Sequence, residues 1–141
     1  MKQIVPYGVA IFSIVFLAGA CTKREDSYSE RTIANIAGTY QLTGFTKTIN
    51  DITYNAFDTM SECQKNNLVQ FNTDMTVDYI DAGNTCSFPA NRRGTWWLEG
   101  GILYLNGNVL RIKNFNGKTL ALTAITADDP GVINFITWVK K

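Results

Sequence analysis

The chain of 141 residues contains no histidine. Histidine is the usual general base beside a serine or cysteine nucleophile and a frequent zinc ligand, so its absence argues against both kinds of site. No glycine-rich phosphate loop occurs, and no Asp-x-Asp-x-Asp spacing indicates calcium. Turn chemistry explains the candidate carboxylates, which are Asp74, Asp78, Asp81 and Asp128-Asp129. We therefore expect no enzyme, no metal site and no cofactor.

An excess of charge of one sign is also missing. The formal net charge is +1, and Lys2 is the only charged residue among the first twenty. Without Lys2, twelve basic residues balance twelve acidic ones. Binding to a phosphate backbone needs a basic face, so no nucleic-acid partner is expected.

The first twenty residues have the pattern of a secretory signal peptide. Lys2 is followed by the apolar run 4–17 and the small residues 18–20, and the run is too short for a transmembrane helix. Leu17-Ala18-Gly19-Ala20-Cys21 resembles a bacterial lipobox, although Ala18 stands where that pattern prefers leucine. The resemblance implies cleavage before Cys21 and lipid on its thiol, and hence a membrane partner. An ordinary secreted protein is the alternative.

Residues 21–31 are predicted to be the lipidated cysteine and a flexible tether, because 22–31 are charged and lack aliphatic side chains. Lys23 followed by Glu25-Asp26 resembles the surface-export signal of Bacteroidota lipoproteins, and Arg24 interrupts the pattern. A generic polar linker is the alternative. We expect a lipid-anchored outer-membrane protein, on either the periplasmic face or the cell surface.

Only three cysteines occur. With Cys21 assigned to lipid, Cys63 and Cys86 are the remaining pair in a compartment that permits disulfides. A bridge between them would close a loop of about 24 residues and stabilise the fold by roughly 3–4 kcal/mol. Two free thiols or a metal pair are the alternatives, and two cysteines without histidine are too few ligands for zinc.

The segment between these cysteines predicts a β-hairpin. Residues 68–71 and 75–80 alternate apolar and polar side chains around Asn72-Thr73-Asp74. If the turn is centred between Thr73 and Asp74, residues whose numbers sum to about 147 face each other. That register brings Cys63 near Cys86 across the open end of the hairpin.

Further alternating runs predict eight strands, near residues 39–47, 67–72, 75–80, 94–99, 102–105, 109–113, 118–124 and 132–139. One or two helical turns are expected at 32–37, ending at Gly38, and Gly44 permits a bend or a bulge before Phe45 in the first strand. Residues 48–62 are expected to be a long connection of the kind that forms lids. Tight turns at this spacing indicate an all-β fold, an eight-stranded antiparallel up-and-down barrel over residues 32–141.

Several segments together resemble the bacterial lipocalin-like lipoproteins, which have a calycin-type barrel. These segments are Gly38-Thr39-Tyr40-Gln41-Leu42, Cys63, Leu68-Val69-Gln70-Phe71-Asn72-Thr73-Asp74, Cys86 and Gly94-Thr95-Trp96-Trp97-Leu98. The chain departs from the family at Tyr40, where tryptophan is usual, and at Met75, where the turn usually has glycine. The resemblance implies a barrel with an internal site and no catalytic residues.

Aromatic residues recur along the predicted strands and in the 48–62 connection. The candidate ligand-binding residues are Tyr40, Tyr54, Phe57, Phe71, Tyr79, Trp96 and Phe135. The alternative is a plain core, because an eight-stranded barrel is just wide enough for side chains to fill. Inward Gly44, Ala121 and Thr137 would favour a pocket, and inward Trp96 and Trp138 a filled core.

We expect non-catalytic binding of a small hydrophobic ligand by a monomeric protein. The second hypothesis is a protein-interaction or inhibitor module with a filled barrel, whose long loops contact an envelope or host protein. Arg92-Arg93 beside the tryptophans is either an anion site or a solvated loop end.

Overall fold

The computed structural model describes residues 31–82, 92–126 and 129–141. The predicted signal peptide, Cys21, the tether up to residue 30 and Cys86 lie outside the described residues. The lipid anchor and the Cys63–Cys86 bridge therefore stay predictions. In the described ranges no helix combines the length and apolar character needed to cross a membrane.

Within those ranges the chain forms two short helices and nine strands. The helices are α1 Ile33–Ile36 and α2 Glu62–Asn66. The strands are β1 Gly38–Ile49, β2 Ile52–Asn55, β3 Leu68–Phe71, β4 Thr76–Ile80, β5 Arg92–Glu99, β6 Ile102–Leu105, β7 Asn108–Phe115, β8 Thr119–Thr126 and β9 Asp129–Lys140.

Eight of the strands close into an antiparallel barrel. Strands β1 and β3 to β9 are neighbours in chain order, and pairing of β1 with β9 completes the circle. The predicted up-and-down barrel is confirmed. We call the end at α1 and the β3–β4 turn the lower end, and the end at α2 and the β6–β7 turn the upper end.

The predicted helical turn before the barrel is confirmed as α1. Thr32 caps it by accepting a hydrogen bond from the Asn35 amide at 3.2 Å. Ile36 from this helix is fully buried and plugs the lower end of the core. Gly107 and Asn106 have positive φ angles of 82° and 50°, as the Asn-Gly signal for a type I′ turn requires.

Residues 48–62 do not form the single long connection that was predicted. Strand β1 continues to Ile49, turns at Asn50 and Asp51 with φ of 49° and 63°, and pairs with β2 through residues 46–49. Asn and Asp tolerate this left-handed conformation better than other non-glycine residues, so they permit the tight turn. Strand β2 thus adds a ninth strand to the upper part of β1.

Helix α2 follows, and the prediction had no helix there. Ser61 and Gln64 form a capping box, with the Gln64 amide donating to the Ser61 hydroxyl at 3.3 Å and the Ser61 amide donating to Gln64 Oε1 at 3.1 Å. The Ser-x-x-Gln spacing is visible in the sequence and could have revealed this helix.

The β3–β4 hairpin exists, with a register different from the predicted one. Facing residues sum to 148, as in Val69 with Tyr79 and Phe71 with Val77. The turn contains one residue more than expected, because Met75 takes a left-handed φ of 66°. The Asp74 carboxylate accepts from the Thr76 hydroxyl at 2.6 Å and from the Thr76 amide at 3.0 Å, and these bonds hold the pKa of Asp74 below its usual range.

Candidate functional site

The lower half of the barrel interior is a packed aromatic cluster. Tyr40, Phe71, Trp96 and Trp138 are between 0% and 8% exposed. The Phe71 ring lies at the centre of the cluster, with ring centroids 5.7 Å from Tyr40, 5.1 Å from Trp96 and 5.6 Å from Trp138. Edge-on and tilted ring contacts of this kind stabilise a core beyond the area that they bury.

The polar atoms of these aromatic side chains have partners. The Tyr40 hydroxyl donates to the Ile36 carbonyl at 2.7 Å, and Trp96 Nε1 donates to the Asn72 carbonyl at 2.9 Å. Burial raises the pKa of Tyr40 to about 12, since the phenolate would lose its hydration. Because their polar atoms are hydrogen-bonded within the protein, these side chains belong to the core. Tyr40, Phe71 and Trp96 therefore fill the lower half of the barrel.

The small residues that would have favoured a pocket face outward. Gly44 and Ala121 both pair with Thr137, which alternates along β9 with the inward Ile136 and Trp138. The criterion set from the sequence therefore gives a filled core at this level of the barrel. The volume that remains for a ligand must lie above the aromatic cluster.

The upper half of the interior is different. Five inward apolar side chains pack on the core from above and stay partly exposed, namely Leu42, Val69, Tyr79, Ala124 and Ile136. We call the recess that these five residues line the cup. Its floor is the aromatic cluster, and the partial exposure of its walls means that it opens toward the upper end.

A bulge in β1 determines which residues complete the wall of the cup. The pairing of β1 with β9 shifts between Leu42 and Gly44, so Thr43 is an extra residue. Below the bulge Tyr40 and Leu42 face inward; above it Phe45 takes that face, opposite Ile136. The irregularity expected at Gly44 is thus a bulge with its extra residue at Thr43, and it reverses the alternation in the upper half of β1.

Above the bulge, a polar row crosses three strands on this inner face. Tyr54 of β2 pairs with Lys47 of β1, which pairs with Asn134 of β9. Asn134 pairs in turn with Ala124 of the cup. We call Tyr54, Lys47 and Asn134 the polar row. Tyr54 is the outermost residue of the row and is 53% exposed.

On the opposite wall, a side chain of the β6–β7 turn forms hydrogen bonds to strands β4 and β5. Asn106 donates to the Tyr79 hydroxyl at 3.0 Å and accepts from the Thr95 amide at 3.0 Å. It occupies the space that a side chain at Gly94 would need. Burial raises the pKa of Tyr79, while the nearby positive charge of Arg92 and the bond from Asn106 act in the other direction.

The predicted ligand-binding residues are thus divided among five places. Three lie in the core, Tyr79 lies in the cup, and Tyr54 lies in the polar row. The Phe57 amide donates to the Phe45 carbonyl at 2.8 Å, and its half-buried ring has the Lys65 ammonium 5.4 Å from its centroid. Phe135 is 38% exposed on the outer face, so the structure does not bring it together with the others.

The two arginines that were considered as an anion site separate. Arg93 lies on the outer face, where Nε donates to the Asp78 carboxylate at 2.8 Å and holds the pKa of Asp78 below its usual range. Arg92 pairs with Tyr79 on the inner face. Sequence reasoning missed the polar row, because the bulge at Thr43 changes which residues of β1 face inward. It also missed the hydrogen bonds of Asn106, whose partners are distant in the sequence, and helix α2.

A groove of about 420 Å³ lies at the lower end, lined by Ala34, Asn35, Phe115, Asn116, Gly117 and Lys140. It is outside the barrel, and its lining is mostly polar. No group of three or more potential metal ligands occurs in the described part of the chain.

The sequence profile of the lipocalin-like domain matches residues 36–122, more than half of the chain. The chain belongs to the lipocalin-like domain family. The match begins at the last residue of α1 and ends within β8, so it contains six of the eight barrel strands and the first half of a seventh. Lipocalin-like barrels generally bind ligands rather than catalyse reactions, and no curated protein matches this chain.

Proposed function

We propose that this lipocalin-like protein is a lipid-anchored envelope lipoprotein of the Bacteroidota type that binds a small ligand in the cup without catalysis. One observation carries the proposal. Burial along the inner face of β4 changes from complete at Val77 to partial at Tyr79, two residues nearer the upper end. A recess with apolar walls and a few polar groups is the usual form of a small-molecule site.

The apolar lining supports a ligand with an apolar body. The cup is formed by aliphatic side chains and one tyrosine ring, and its floor is aromatic. Ligand surface buried against such walls contributes roughly 25 cal/mol for each Å² removed from water. The absence of histidine from the whole chain supports a role in binding rather than catalysis.

The position of α1 supports an orientation for the anchored protein. The predicted tether precedes α1, and α1 packs at the lower end through Ile36. A lipid on Cys21 would then hold the lower end toward the membrane, with the cup opening away from it. We propose that the ligand enters from the aqueous side.

A neutral fluorescent probe tests the site. The chain is exported with Cys21→Ser so that no lipid is attached, and it is titrated with N-phenyl-1-naphthylamine. Ala124→Trp fills the cup and should weaken probe binding by about tenfold or more. Thr123→Trp, the neighbouring residue on the outer face, should leave binding unchanged. Equal binding by all three proteins would contradict a site in the cup.

The predicted bridge is tested on the same sample. A denatured mass lower by about two hydrogens than that of the reduced chain would establish the Cys63–Cys86 disulfide. An unchanged mass would contradict it.

The second candidate function is protein recognition through the outer face. Ile133 and Phe135 are 44% and 38% exposed and lie side by side along β9 with outward orientation. Exposed apolar side chains in one patch favour an interaction surface. If Phe135→Ser abolishes capture of an envelope or host protein while probe binding in the cup persists, this function is supported. Sedimentation of the free chain tests the expected monomer.

A further inference from the structure

Lys47 and Asn134 form the inner part of a polar row that lies between two apolar rows. On one side of it Phe45 pairs with Ile136, and on the other Ile49 pairs with Val132. Cross-strand partners share a face, so all six side chains lie on the inner face of the wall. A polar pair in this position is not needed for the barrel, since apolar residues fill the rows on both sides.

The polar atoms of this pair are not satisfied by the protein. Asn134 Oδ1 is buried and has no hydrogen-bond partner. Lys47 is half-buried, and across the described residues its ammonium group makes no hydrogen bond or ion pair. Buried amide oxygens nearly always have a partner, so an orphaned one beside an unpaired cation calls for an explanation.

A second amide oxygen in the upper half is buried without a hydrogen-bond partner. It is Oδ1 of Asn67, the residue directly before β3. In the lower half, by contrast, the hydroxyl of Tyr40 and the ring nitrogen of Trp96 both donate to carbonyls. Unsatisfied amide oxygens therefore occur where the interior is open and not where it is packed.

We propose that the polar row determines the ligand class, an amphipathic acid that carries an N–H or O–H donor beside its anionic group. Lys47 binds the anion, and Asn134 accepts the hydrogen bond from the donor. The apolar tail lies in the cup over Leu42 and Ile136. This inference rests on the proposed function, because it assigns the polar end of a ligand whose apolar end fills the cup.

The charge on the opposite wall agrees with an anionic ligand. We call strands β3 to β6, which face the polar row across the opening, the short wall. Arg92 pairs with Tyr79 on its inner face, and the Arg92 charge reaches the Tyr79 hydroxyl. Cations on two walls of one opening attract an anion from solution and disfavour a cationic ligand.

Three acyl probes test the assignment by displacing N-phenyl-1-naphthylamine from the Cys21→Ser chain. N-dodecanoylglycine has both a carboxylate and an amide N–H, its methyl ester lacks the charge, and dodecanoic acid lacks the N–H. We expect N-dodecanoylglycine to bind about tenfold more tightly than either of the others. Equal affinities for the acid and its ester would overturn the proposal.

Substitutions of Lys47 then locate the charge recognition. Lys47→Met should remove the preference for the acid over its ester, while Lys47→Arg should retain it. Lys113→Met is the matched control, because Lys113 is exposed at the β7 bulge and should leave the preference intact. Loss of the preference in the control alone would overturn the assignment.

Asn134→Leu separates a ligand-binding role of Asn134 from a structural one, because stability and ligand affinity should change in opposite directions. Replacing an orphaned acceptor by an apolar group of similar size should raise the urea midpoint. The same change should lower the affinity for N-dodecanoylglycine about tenfold, to that of dodecanoic acid. A lower midpoint with unchanged affinity would overturn the role of Asn134.

The two proposals fail in different ways. If the neutral probe binds, Ala124→Trp blocks it and the acid and ester compete equally, the polar row is wrong and the cup stands. If Ala124→Trp leaves the neutral probe and the acyl probes unaffected, the cup itself is wrong and the polar row falls with it.

Discussion

The lower and upper halves of this barrel are built from the same strands and differ in how completely their interiors are satisfied. In the lower half, Trp96 and Phe71 are at most 1% exposed and the polar atoms of Tyr40 and Trp96 have partners. In the upper half, the apolar walls are partly exposed and Asn134 keeps an orphaned oxygen. The difference indicates that the lower half supplies stability and leaves the upper half free to bind.

Strand length produces this division. Strands β1 and β9 have 12 residues each, while β3 and β6 have 4. The short strands are long enough to surround the aromatic cluster, but they do not extend above it. The tall wall of β1, β9 and β2 therefore rises beyond the closed part, and the polar row lies on it.

The largest expected effect compares one inward residue from each half. Trp96→Ala should cost about 4 kcal/mol of unfolding free energy, because it empties the centre of the core and orphans the Asn72 carbonyl. Leu42→Ala, on the partly exposed wall of the cup, should cost about 1–2 kcal/mol. Urea unfolding measures both. Equal losses would contradict the division of stability between the halves.

The next effect compares two glycines near the upper end. A side chain at Gly94 would meet the Asn106 amide, so Gly94→Ala should break the hydrogen bonds that Asn106 forms with Tyr79 and Thr95. The substitution should cost about 2–3 kcal/mol of unfolding free energy. Gly107→Ala meets nothing within 4 Å and adds only the strain of a φ of 82°, about 1 kcal/mol. Thermal unfolding of the two variants should therefore differ, and a larger loss at Gly107 would contradict the role of Asn106.

Local signals in the sequence predicted the barrel well. Alternation separated inward Trp96 from outward Trp97, the Asn106-Gly107 pair marked its turn, and Gly44 marked the bulge. The errors fell where the outcome depends on distant partners. Strand β2 has no buried residue, so only its pairing with β1 defines it.

The candidate site was harder to predict than the fold. Lys47 would face outward if the alternation that begins at Tyr40 continued, and the single extra residue at Thr43 turns it inward. Phe135 looked equivalent to the other aromatics because composition does not tell which face a strand buries. The sequence thus identified the packed lower half and missed the polar part of the upper half.

The third effect compares two tyrosines. Burial raises the pKa of Tyr40 to about 12, whereas at Tyr79 the charge of Arg92 and the bond from Asn106 oppose the rise. The unfolded Tyr40 ionises near pH 10 and the folded one does not, so stability is full below pH 10 and falls as the pH rises toward 12. The loss should reach about 1 kcal/mol by pH 11.

Two substitutions check this assignment. Tyr40→Phe should flatten the decline between pH 10 and 12, although it lowers stability at neutral pH by orphaning the Ile36 carbonyl. Tyr79→Phe should change the alkaline slope less. Urea unfolding at several pH values measures the slopes, and a steeper dependence on Tyr79 than on Tyr40 would reverse the comparison.

The smallest effect compares a turn at each end of the barrel. Met75 in the lower turn and Asn106 in the upper turn both have left-handed φ angles, 66° and 50°. The Met75 side chain is 48% exposed, so Met75→Gly should relieve strain at little loss of burial and stabilise the chain by about 0.5–1 kcal/mol. Its backbone bonds to Asn72 and Trp96 do not need the side chain.

Asn106→Gly makes the same backbone change in the upper turn and should have the opposite sign. Glycine there relieves similar strain and removes the hydrogen bonds to Tyr79 and Thr95, so the net result should be a loss of about 1 kcal/mol. Differential scanning calorimetry resolves the two. Stabilisation by both substitutions would mean that the Asn106 bonds contribute little, and the short wall of the cup would then be held by strand pairing alone.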